Sequence, residues 1–491
     1  MLQRARRAQP SGWPHDPKLR DPSVSAIGRA AVRARCELAE TAPSQSAKKP
    51  AGRVLVAVML CLALANVLGA FGVKGFSDVW FATSLAFAGL GLLRALACLC
   101  HLQQDAPLAD MATPEAAPIW TIMIALYKEA DSVPSLLASL SLLDWATDRL
   151  DIIFACERDD IETLRMLVIY QRKFDFRIIR VPAGGPRTKP NALQTALPFA
   201  RGRYLTVYDA EDRPDPQQLR AAFQAFVSAP LNLAVVQAPL VTWNHTESWV
   251  ARQFALDYAI WFRVMLPAFA RFSGLIPLGG TSNHFRTDVL REVGGWDPFN
   301  VTEDADLGVR LGRHGYRAGL ISTPTYEEAP PRIAAWVKQR GRWIQGHIQT
   351  FSLHLRRPLT LSRDIGWRGL LAFFIGLGIG PMSGLMVLPF FIGFAAALGS
   401  GVNFVAWVPI CIGTLGQSLA ACVACHRDGR WILLTSLVTL PLYHCLQTLA
   451  ACRAMWRVVF TPSIWDKTDH GCAARHSTDK GMPNWIRRQR S

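Results

Sequence analysis

Three acidic residues follow one apolar run of this chain directly. Residues 205–208, Leu-Thr-Val-Tyr, have the composition of a buried strand and lead into Asp209, Glu211 and Asp212. Carboxylates grouped at the end of a strand suit a hard divalent cation that holds phosphate oxygens. An acidic surface loop is the alternative interpretation of this segment on its own.

A second acidic cluster, Glu303 and Asp304, follows Thr302 further along the chain. It opens a segment predicted to be helical, where a carboxylate often does no more than cap the helix. The functional alternative is a general base, which removes the proton from a hydroxyl group as that hydroxyl attacks a carbon centre.

The third group consists of Gln339, Arg342 and Trp343, in an amphipathic segment over 331–350. At helical spacing these residues are i, i+3 and i+4, so they share one face. A guanidinium can bind diphosphate oxygens through two hydrogen bonds, and an indole offers a flat apolar surface for a sugar ring. An interfacial anchor is the simpler interpretation of this stripe by itself.

In this order, the three groups resemble the D-x-D, (T/E)-E-D and Q-x-x-R-W motifs of processive family 2 glycosyltransferases of the cellulose synthase and hyaluronan synthase type. The matching segments are Asp209 to Glu211, Thr302 to Asp304 and Gln339 to Trp343. The resemblance covers about residues 119–471. It implies an α/β GT-A glycosyltransferase domain inserted between N- and C-terminal transmembrane helices, with Mg²⁺ or Mn²⁺ as cofactor.

The resemblance also assigns roles to these motif residues. Asp209 would contact the nucleotide sugar and, with Glu211, hold the metal, while Asp304 would be the catalytic base of an inverting transfer. Glu211 replaces the second aspartate of the motif, and Asp212 follows it, so both carboxylates stay open as the second metal ligand. The residues expected to bind the acceptor are Gln339, Trp343 and Glu303, with Arg342 at the diphosphate.

Earlier segments supply further expected donor contacts. Tyr127 and Glu129 follow the first predicted strand and are expected to contact the nucleotide, and Lys189 matches a lysine that meets the diphosphate. In the first acidic element, Glu157-Arg158-Asp159-Asp160, we favour Asp159 over Asp160 as the donor contact.

Two histidine-containing segments complete the expected site. His284 lies in a Gly-rich stretch that resembles the acceptor-side loop, although a lone histidine is more often structural. Lys467 lies in residues 462–471, which resemble the W-x-K-T-x-H-G ending of bacterial members. By that resemblance, the Lys467 side chain would neutralise phosphate charge. A juxtamembrane anchor is the alternative for this ending.

The elements needed to position these residues can be predicted from the pattern before them. Short apolar runs alternate with amphipathic segments, which predicts a βαβα arrangement. Strands are expected at 120–125, 150–155 and 177–181, and helices at 133–143 and 161–174.

Hydrophobic residues make up 50% of the chain, which is high for a soluble enzyme. Apolar segments at 54–71 and 79–100 are long enough to cross a bilayer, and a basic flank precedes them, as the positive-inside rule expects for a cytoplasmic N-terminus. The same distribution argues that the net charge of +16 serves membrane orientation rather than nucleic-acid binding. Most of the cysteines lie in apolar stretches, which predicts buried small side chains rather than a metal site.

The predicted organisation therefore has six parts. They are a basic, disordered cytoplasmic tail (1–50), two transmembrane helices (51–101), a cytoplasmic catalytic domain (118–330), amphipathic interfacial helices (331–366), a C-terminal transmembrane region (367–461) and a cytoplasmic loop and tail (462–491). This corresponds to a multi-pass protein of the inner (plasma) membrane.

The predicted activity is transfer of sugar from a nucleotide-sugar donor, expected to be UDP-linked, to a growing β-linked polysaccharide that the same protein helps to export. Its partners would be the donor, the polysaccharide, the lipid bilayer and separate export or regulatory proteins. Single transfer to a membrane lipid is the alternative within enzymes. A transporter or receptor with solvated acidic loops is the alternative from another class.

Overall fold

The computed structural model of the 491-residue chain describes residues 21–71, 73, 77–99, 117–399 and 407–462. Its centre is a seven-stranded sheet in the order β3-β2-β1-β4-β8-β6-β9, with a three-stranded sheet, β5-β10-β7, beside it. The strands are β1 (Trp120–Leu126), β2 (Leu150–Glu157), β3 (Arg177–Val181), β4 (Tyr204–Tyr208), β5 (Arg213–Pro214), β6 (Leu233–Gln237), β7 (Leu240–Thr242), β8 (Asn283–Arg286), β9 (Arg317–Leu320) and β10 (Thr325–Glu327).

The half of the large sheet made by β3, β2, β1 and β4 is parallel. Every residue of β2 and β4 is buried, as expected for parallel strands that are covered on both faces. The carboxyl ends of β1, β2 and β4 therefore lie along one edge, where β1 leads to Tyr127, β2 ends in Glu157 and β4 leads to Asp209. This order of strands brings the residues at the ends of β1, β2 and β4 together without any long loop.

Helices cover this sheet and continue the chain towards the motif helix. Those of the sheet region are α4 (Val133–Leu140), α5 (Ile161–Tyr170), α6 (Lys189–Ala196), α7 (Gln218–Ser228), α8 (Trp249–Ile260), α9 (Leu266–Phe272), α10 (Thr287–Glu292) and α11 (Glu303–Arg313). A π-helical turn, Trp261–Met265, joins α8 to α9. The predicted α/β arrangement is confirmed, and all five predicted elements are present, with the helices ending three or four residues earlier than expected.

In contrast to the predicted disordered tail, part of the N-terminal region is helical. Helix α1 (Val24–Thr41) is capped by Ser23, whose side chain accepts a hydrogen bond from the Ala26 N–H, and its buried face packs on α6 and β3. Alanines dominate that face, so an Arg- and Ala-rich composition that suggested disorder is equally suited to close helix packing. The N–H of Ala47 then donates to the buried carboxylate of Asp297.

The amphipathic segment forms α12 (Ile333–His354) and α13 (Pro358–Phe373). Gly366 interrupts α13 with a φ of 63°, a conformation that glycine adopts at little cost. The remaining helices are α2 (Arg53–Ala70), α3 (Ser77–Leu99), α14 (Gly380–Gly399), α15 (Trp407–Asp428) and α16 (Leu440–Phe460).

Among the described residues, three helical segments are long and apolar enough to cross a membrane: Asp78–Leu99, Val408–Asp428 and Trp431–Phe460. A fourth is obtained if the pair Pro358–Ile379 and Ser383–Ile392, bent by 60°, is one span. Helix α2 forms where the first span was predicted, but its apolar part, Arg53–Gly69, belongs with the shorter apolar helices. The number of crossings and their orientation stay predictions.

Candidate active site

A cavity of about 400 Å³ lies between the carboxyl edge of the parallel strands, α11 and α12. It holds most of the residues that the sequence singled out, although they come from segments far apart in the chain. Those residues are Tyr127, Glu129, Lys189, Asp209, Glu211, Glu303, Asp304, Gln339, Arg342 and Trp343.

The turn after β4 separates the two carboxylates that the sequence left open. Glu211 lines the cavity, whereas Asp212 is buried behind it and accepts hydrogen bonds from the Asp209 N–H, at 2.7 Å, and from the hydroxyl of Thr281. Asp212 therefore shapes the turn that presents Asp209 and Glu211. Burial, followed by the charges of Asp209 and Glu129, raises the pKa of Glu211.

Lys189 is the first residue of α6, which begins after the N-cap Thr188. Its ammonium group donates to the Gly280 carbonyl at 2.7 Å and pairs with the carboxylate of Asp209. Burial by itself would lower the pKa of Lys189, but Asp209 and Glu303 more than compensate and raise it. The lysine is thus charged at neutral pH and lies between the two acidic motifs.

The first acidic element contributes a different carboxylate from the one predicted. Asp159 is exposed and pairs with Arg187, and Asp160 caps α5 and accepts a hydrogen bond from the Lys128 N–H at 2.5 Å. Glu157, the last residue of β2, lines the cavity, and burial raises its pKa to about 7. Asp159 does not line the cavity, because the strand ends two residues before it. The donor contact expected of Asp159 stays a prediction.

Glu303 and Asp304 open helix α11 at the cavity wall. Asp304 accepts a hydrogen bond from the Ala305 N–H at 2.8 Å, and its other oxygen faces Gly280 so closely that a Cβ added there would lie 3.3 Å away. Burial raises the pKa of Asp304, and burial with the Asp304 charge raises that of Glu303. Two adjacent buried carboxyl groups favour a state in which they share one proton.

Helix α12 places Gln339, Arg342 and Trp343 along the same cavity, as their spacing predicted. The Trp343 ring stacks on Tyr258 of α8, with centroids 6.0 Å apart and an interplanar angle of 18°. The helix approaches the acidic loop closely at Gly346, where an added Cβ would lie 2.3 Å from the Thr302 side chain. A glycine at this position is what lets the two motifs share one cavity.

His284 does not line the cavity. His284 lies inside the large sheet, fully buried, with Nδ1 2.6 Å from the Thr206 hydroxyl and its edge near Trp120. Burial lowers its pKa to about 3, so the ring is neutral. The acceptor contact expected of it stays a prediction. Lys467 lies outside the described residues.

The cavity also contains residues that sequence reasoning missed, chiefly Glu157, Arg187, Asp257, Glu327 and Arg94. Glu157 ends the buried strand β2, which is a signal that the sequence offered, and Glu327 ends the short, partly buried strand β10. Arg94 interrupts an apolar helix, a pattern that marks functional groups in membrane segments. Asp257 has no comparable signal.

Asp209 and Glu211 fit an oxygen-preferring cation shared with a diphosphate. Within the described residues no group of three or more His, Cys, Asp or Glu side chains is arranged to hold a metal ion on its own. Two carboxylates leave coordination positions for phosphate oxygens, which is how Mg²⁺ is usually held with nucleotides. The raised pKa of Glu211 marks the concentration of negative charge that such a cation would relieve.

Residues 204–418 match the family model "Glycosyl transferase family group 2". The chain is similar to the beta-monoglucosyldiacylglycerol synthase of Synechocystis sp., with 25% identity over 67% of each protein. It is also similar to a probable glucomannan 4-beta-mannosyltransferase of Oryza sativa subsp. japonica, with 25% identity over 53% of this chain and 52% of the relative. The matches thus span from about half to two thirds of these relatives' own lengths.

Among solved structures, the mannosyltransferase PcManGT from Pyrobaculum calidifontis in complex with GDP-Man and Mn²⁺ is similar at 18% identity and a TM-score of 0.46, over 78% of this chain and 99% of that one. Residues 204–418 therefore resemble a family 2 glycosyltransferase domain, and they lie in a mixed α/β fold. The narrower likeness to cellulose and hyaluronan synthases stays a prediction.

Proposed function

We propose that this protein is a family 2 glycosyltransferase that transfers a sugar, with inversion at the anomeric carbon, from a UDP-linked donor to a hydroxyl of a growing β-linked polysaccharide. The observation that carries the proposal is one cavity lined by the three motifs together: Asp209 and Glu211, Glu303 and Asp304, and Gln339 to Trp343. The function of a transporter or receptor would not require these groups to line one cavity.

Asp304 is the proposed base. Its carboxylate takes the proton of the acceptor hydroxyl as that oxygen bonds to the anomeric carbon and the bond to the diphosphate oxygen breaks. The raised pKa of Asp304 supports this role, because a base whose pKa lies closer to the working pH accepts a proton more readily. Glu303 is the proposed acceptor contact beside it.

The leaving diphosphate needs positive charge. Lys189 and Arg342 both line the cavity, and Lys189 already lies against Asp209. A bound Mg²⁺ or Mn²⁺, held by Asp209 and Glu211, would neutralise the phosphate charge. Tyr127, Glu129 and Glu157, at the edge of the parallel strands, are proposed to surround the nucleotide, and Lys467 remains a proposed donor contact from outside the described residues.

Gln339 and Trp343 are the proposed acceptor contacts on α12. Apolar helices on both sides of the catalytic domain support a membrane protein that also helps to export its product. The basic N-terminal flank supports an orientation with the catalytic domain on the cytoplasmic side of the inner (plasma) membrane. Separate proteins for export or regulation are compatible with this arrangement.

Single transfer to a membrane lipid is the second candidate. It is favoured by the similarity over two thirds of the chain to a protein named beta-monoglucosyldiacylglycerol synthase. Both candidates need the same donor site and the same base, and they differ in what enters the cavity from the membrane.

The test is an incubation of membranes that contain the full chain with a panel of labelled UDP- and GDP-sugars, followed by sizing of the product. We expect one UDP-sugar to give a ladder of oligomers. A product with one sugar per lipid would favour single transfer to a membrane lipid over polymer synthesis. The absence of labelled product with every donor would refute the proposed transfer.

Asp304→Asn provides the residue-level test, with the exposed Asp288→Asn as the matched control. We expect the first variant to lose transfer by at least about 10²-fold while membrane insertion is retained, and the control to keep its rate. Transfer at the normal rate by Asp304→Asn would contradict its assignment as the base.

A further inference from the structure

The cavity does not end at the acceptor motif but continues between the membrane-region helices. There its wall carries polar side chains from five helices: Arg94 on α3, Asp257 on α8, Arg340 and His347 on α12, Ser383 on α14 and Gln447 on α16. None of these residues belongs to the fixed positions of the three motifs.

Polar groups at this depth require a partner. Arg94 and Gln447 lie within two of the segments that are apolar enough to cross a membrane. An ionisable side chain in such a segment is costly unless it faces another polar group, a polar ligand or water. An acyl chain in this part of the cavity would displace water from these polar side chains and offer them no hydrogen bond in return.

Arg340 and Asp257 form the centre of the polar wall. Their side chains pair directly, and the guanidinium also donates to the Tyr443 hydroxyl at 3.2 Å. The same guanidinium lies over the Trp343 ring, 5.1 Å from its centroid. The pair therefore sits directly beside the indole that is proposed to hold the acceptor.

Arg94, on α3, adds a second guanidinium group to this wall. Its guanidinium lines the cavity, and its charge interacts with that of Asp257. His347 adds a neutral ring, because burial lowers its pKa to about 4. Cationic donors, a carboxylate acceptor and an imidazole that both donates and accepts are suited to neighbouring hydroxyl groups on a sugar ring.

We propose that Arg94, Asp257 and Arg340 form an acceptor subsite that binds the hydroxyl groups of a sugar already present on the acceptor. This inference rests on the proposed function, and it selects the acceptor class: a molecule that carries a sugar, in a glycan chain or in a glycolipid, rather than a lipid alcohol without one. These residues are thus determinants of acceptor specificity, separate from the donor site and from the base.

The test compares steady-state kinetics of the full chain in lipid nanodiscs with three acceptors: a short β-linked oligosaccharide, glucosyl-diacylglycerol and diacylglycerol. The variants are Arg94→Gln, Arg94→Lys and Asp257→Asn. The matched control is Arg368→Ala, an exposed arginine of α13 outside the cavity. The KM for the nucleotide sugar reports on an intact fold and donor site in each variant.

We expect Arg94→Gln and Asp257→Asn to raise the KM for sugar-bearing acceptors about tenfold, with the donor KM unchanged. Arg94→Lys should recover part of the loss, because it keeps the charge, and Arg368→Ala should behave as the unaltered protein does. Which sugar-bearing acceptor is used distinguishes a glycan from a glycolipid.

Unchanged acceptor KM values in Arg94→Gln and Asp257→Asn would overturn the inference. Equal use of diacylglycerol and sugar-bearing acceptors would overturn it as well. Should Asp257→Asn fail to fold, Arg94→Gln carries the test alone, since its folding is checked by the donor KM. An unaltered chain that transfers sugar to no acceptor would instead refute the proposed function.

Discussion

At the scale of single residues, the acidic motifs divide into groups that face the cavity and groups that shape it. Glu211 faces the cavity, whereas Asp212 holds the Asp209 N–H and the Thr281 hydroxyl behind it. The same division separates Glu157, which lines the cavity, from Asp160, which caps α5. Substitutions of neighbouring carboxylates should therefore affect different properties of the protein.

Glu211→Gln and Asp212→Asn should consequently fail in different ways. Loss of the Glu211 charge should raise the Mn²⁺ concentration needed for half-maximal activity on the order of tenfold, because a cation ligand is weakened. Asp212→Asn should lower thermal stability with the Mn²⁺ requirement little changed, because its contacts are internal. Titration of activity with Mn²⁺ and melting curves measure both effects, and the reverse pattern would assign the metal to Asp212.

The Glu303 and Asp304 pair predicts a pH dependence. Burial raises the pKa of Asp304, so kcat/KM should rise with pH through a limb that lies above the ordinary aspartate pKa of about 3.9. Glu303, whose pKa is also raised, should be protonated where Asp304 titrates. Glu303→Gln should therefore leave the midpoint of this limb unmoved.

The measurement is a pH profile of kcat/KM for the unaltered chain and Glu303→Gln. A limb that moves to lower pH in the variant would show that an ionised Glu303 had been raising the pKa of Asp304. A limb at the ordinary aspartate pKa would contradict the prediction that burial raises the pKa of the proposed base, Asp304.

At the scale of elements, glycines set how closely helices approach. Helix α12 reaches the acidic loop only because Gly346 has no side chain against Thr302. The stacking of Trp343 on Tyr258 then fixes α12 against α8. The two motifs, which are separated along the chain, therefore depend on a close contact between the backbone of α12 and the Thr302 side chain.

Gly346→Ala should therefore reduce kcat by roughly 10- to 100-fold, because the new methyl group displaces either α12 or the loop that carries Asp304. Gly341→Ala is the matched control on the same helix, where an added Cβ lies 3.1 Å from the flexible Arg453 side chain and 3.3 Å from the Ala450 carbonyl oxygen, both farther than the 2.3 Å at Gly346. Steady-state rates of both variants test this prediction. Equal activities would contradict the proposal that the contact between Gly346 and Thr302 positions the two motifs.

At the scale of the whole molecule, the catalytic domain and the apolar helices share one cavity. Helix α3 packs on α15 through glycines: a Cβ added at Gly416 would lie 1.9 Å from the Gly91 carbonyl oxygen. Small residues at such contacts let apolar helices approach closely. Arg94 follows Gly91 on α3, so this packing determines whether its guanidinium reaches the cavity.

Gly416→Leu should separate α3 from α15, lower the melting temperature by roughly 5 °C and raise the acceptor KM as the loss of Arg94 does. Leu415→Ala, at an exposed neighbouring position, is the control and should change neither. Melting curves in detergent together with acceptor kinetics measure the effect. A Gly416→Leu variant with normal stability and normal acceptor KM would contradict the proposal that the packing of α3 on α15 positions Arg94.

The sequence by itself determined the parts that depend on local pattern. Alternating apolar runs predicted β1, β2 and β3, and the spacing of Gln339, Arg342 and Trp343 placed them on one helix face. The order of the acidic motifs predicted the chemistry that we propose, because the backbone at a strand end or helix start restricts where those side chains can lie.

The tertiary structure decided everything that depends on direction and on distant neighbours. It turned Glu211 towards the cavity and Asp212 away from it, buried His284 in the sheet and packed α1 on α6. It also brought Arg94 near Asp257 from another part of the chain. Periodicity indicates which residues share a face, but contacts between distant segments follow from how whole elements pack, which no local pattern contains.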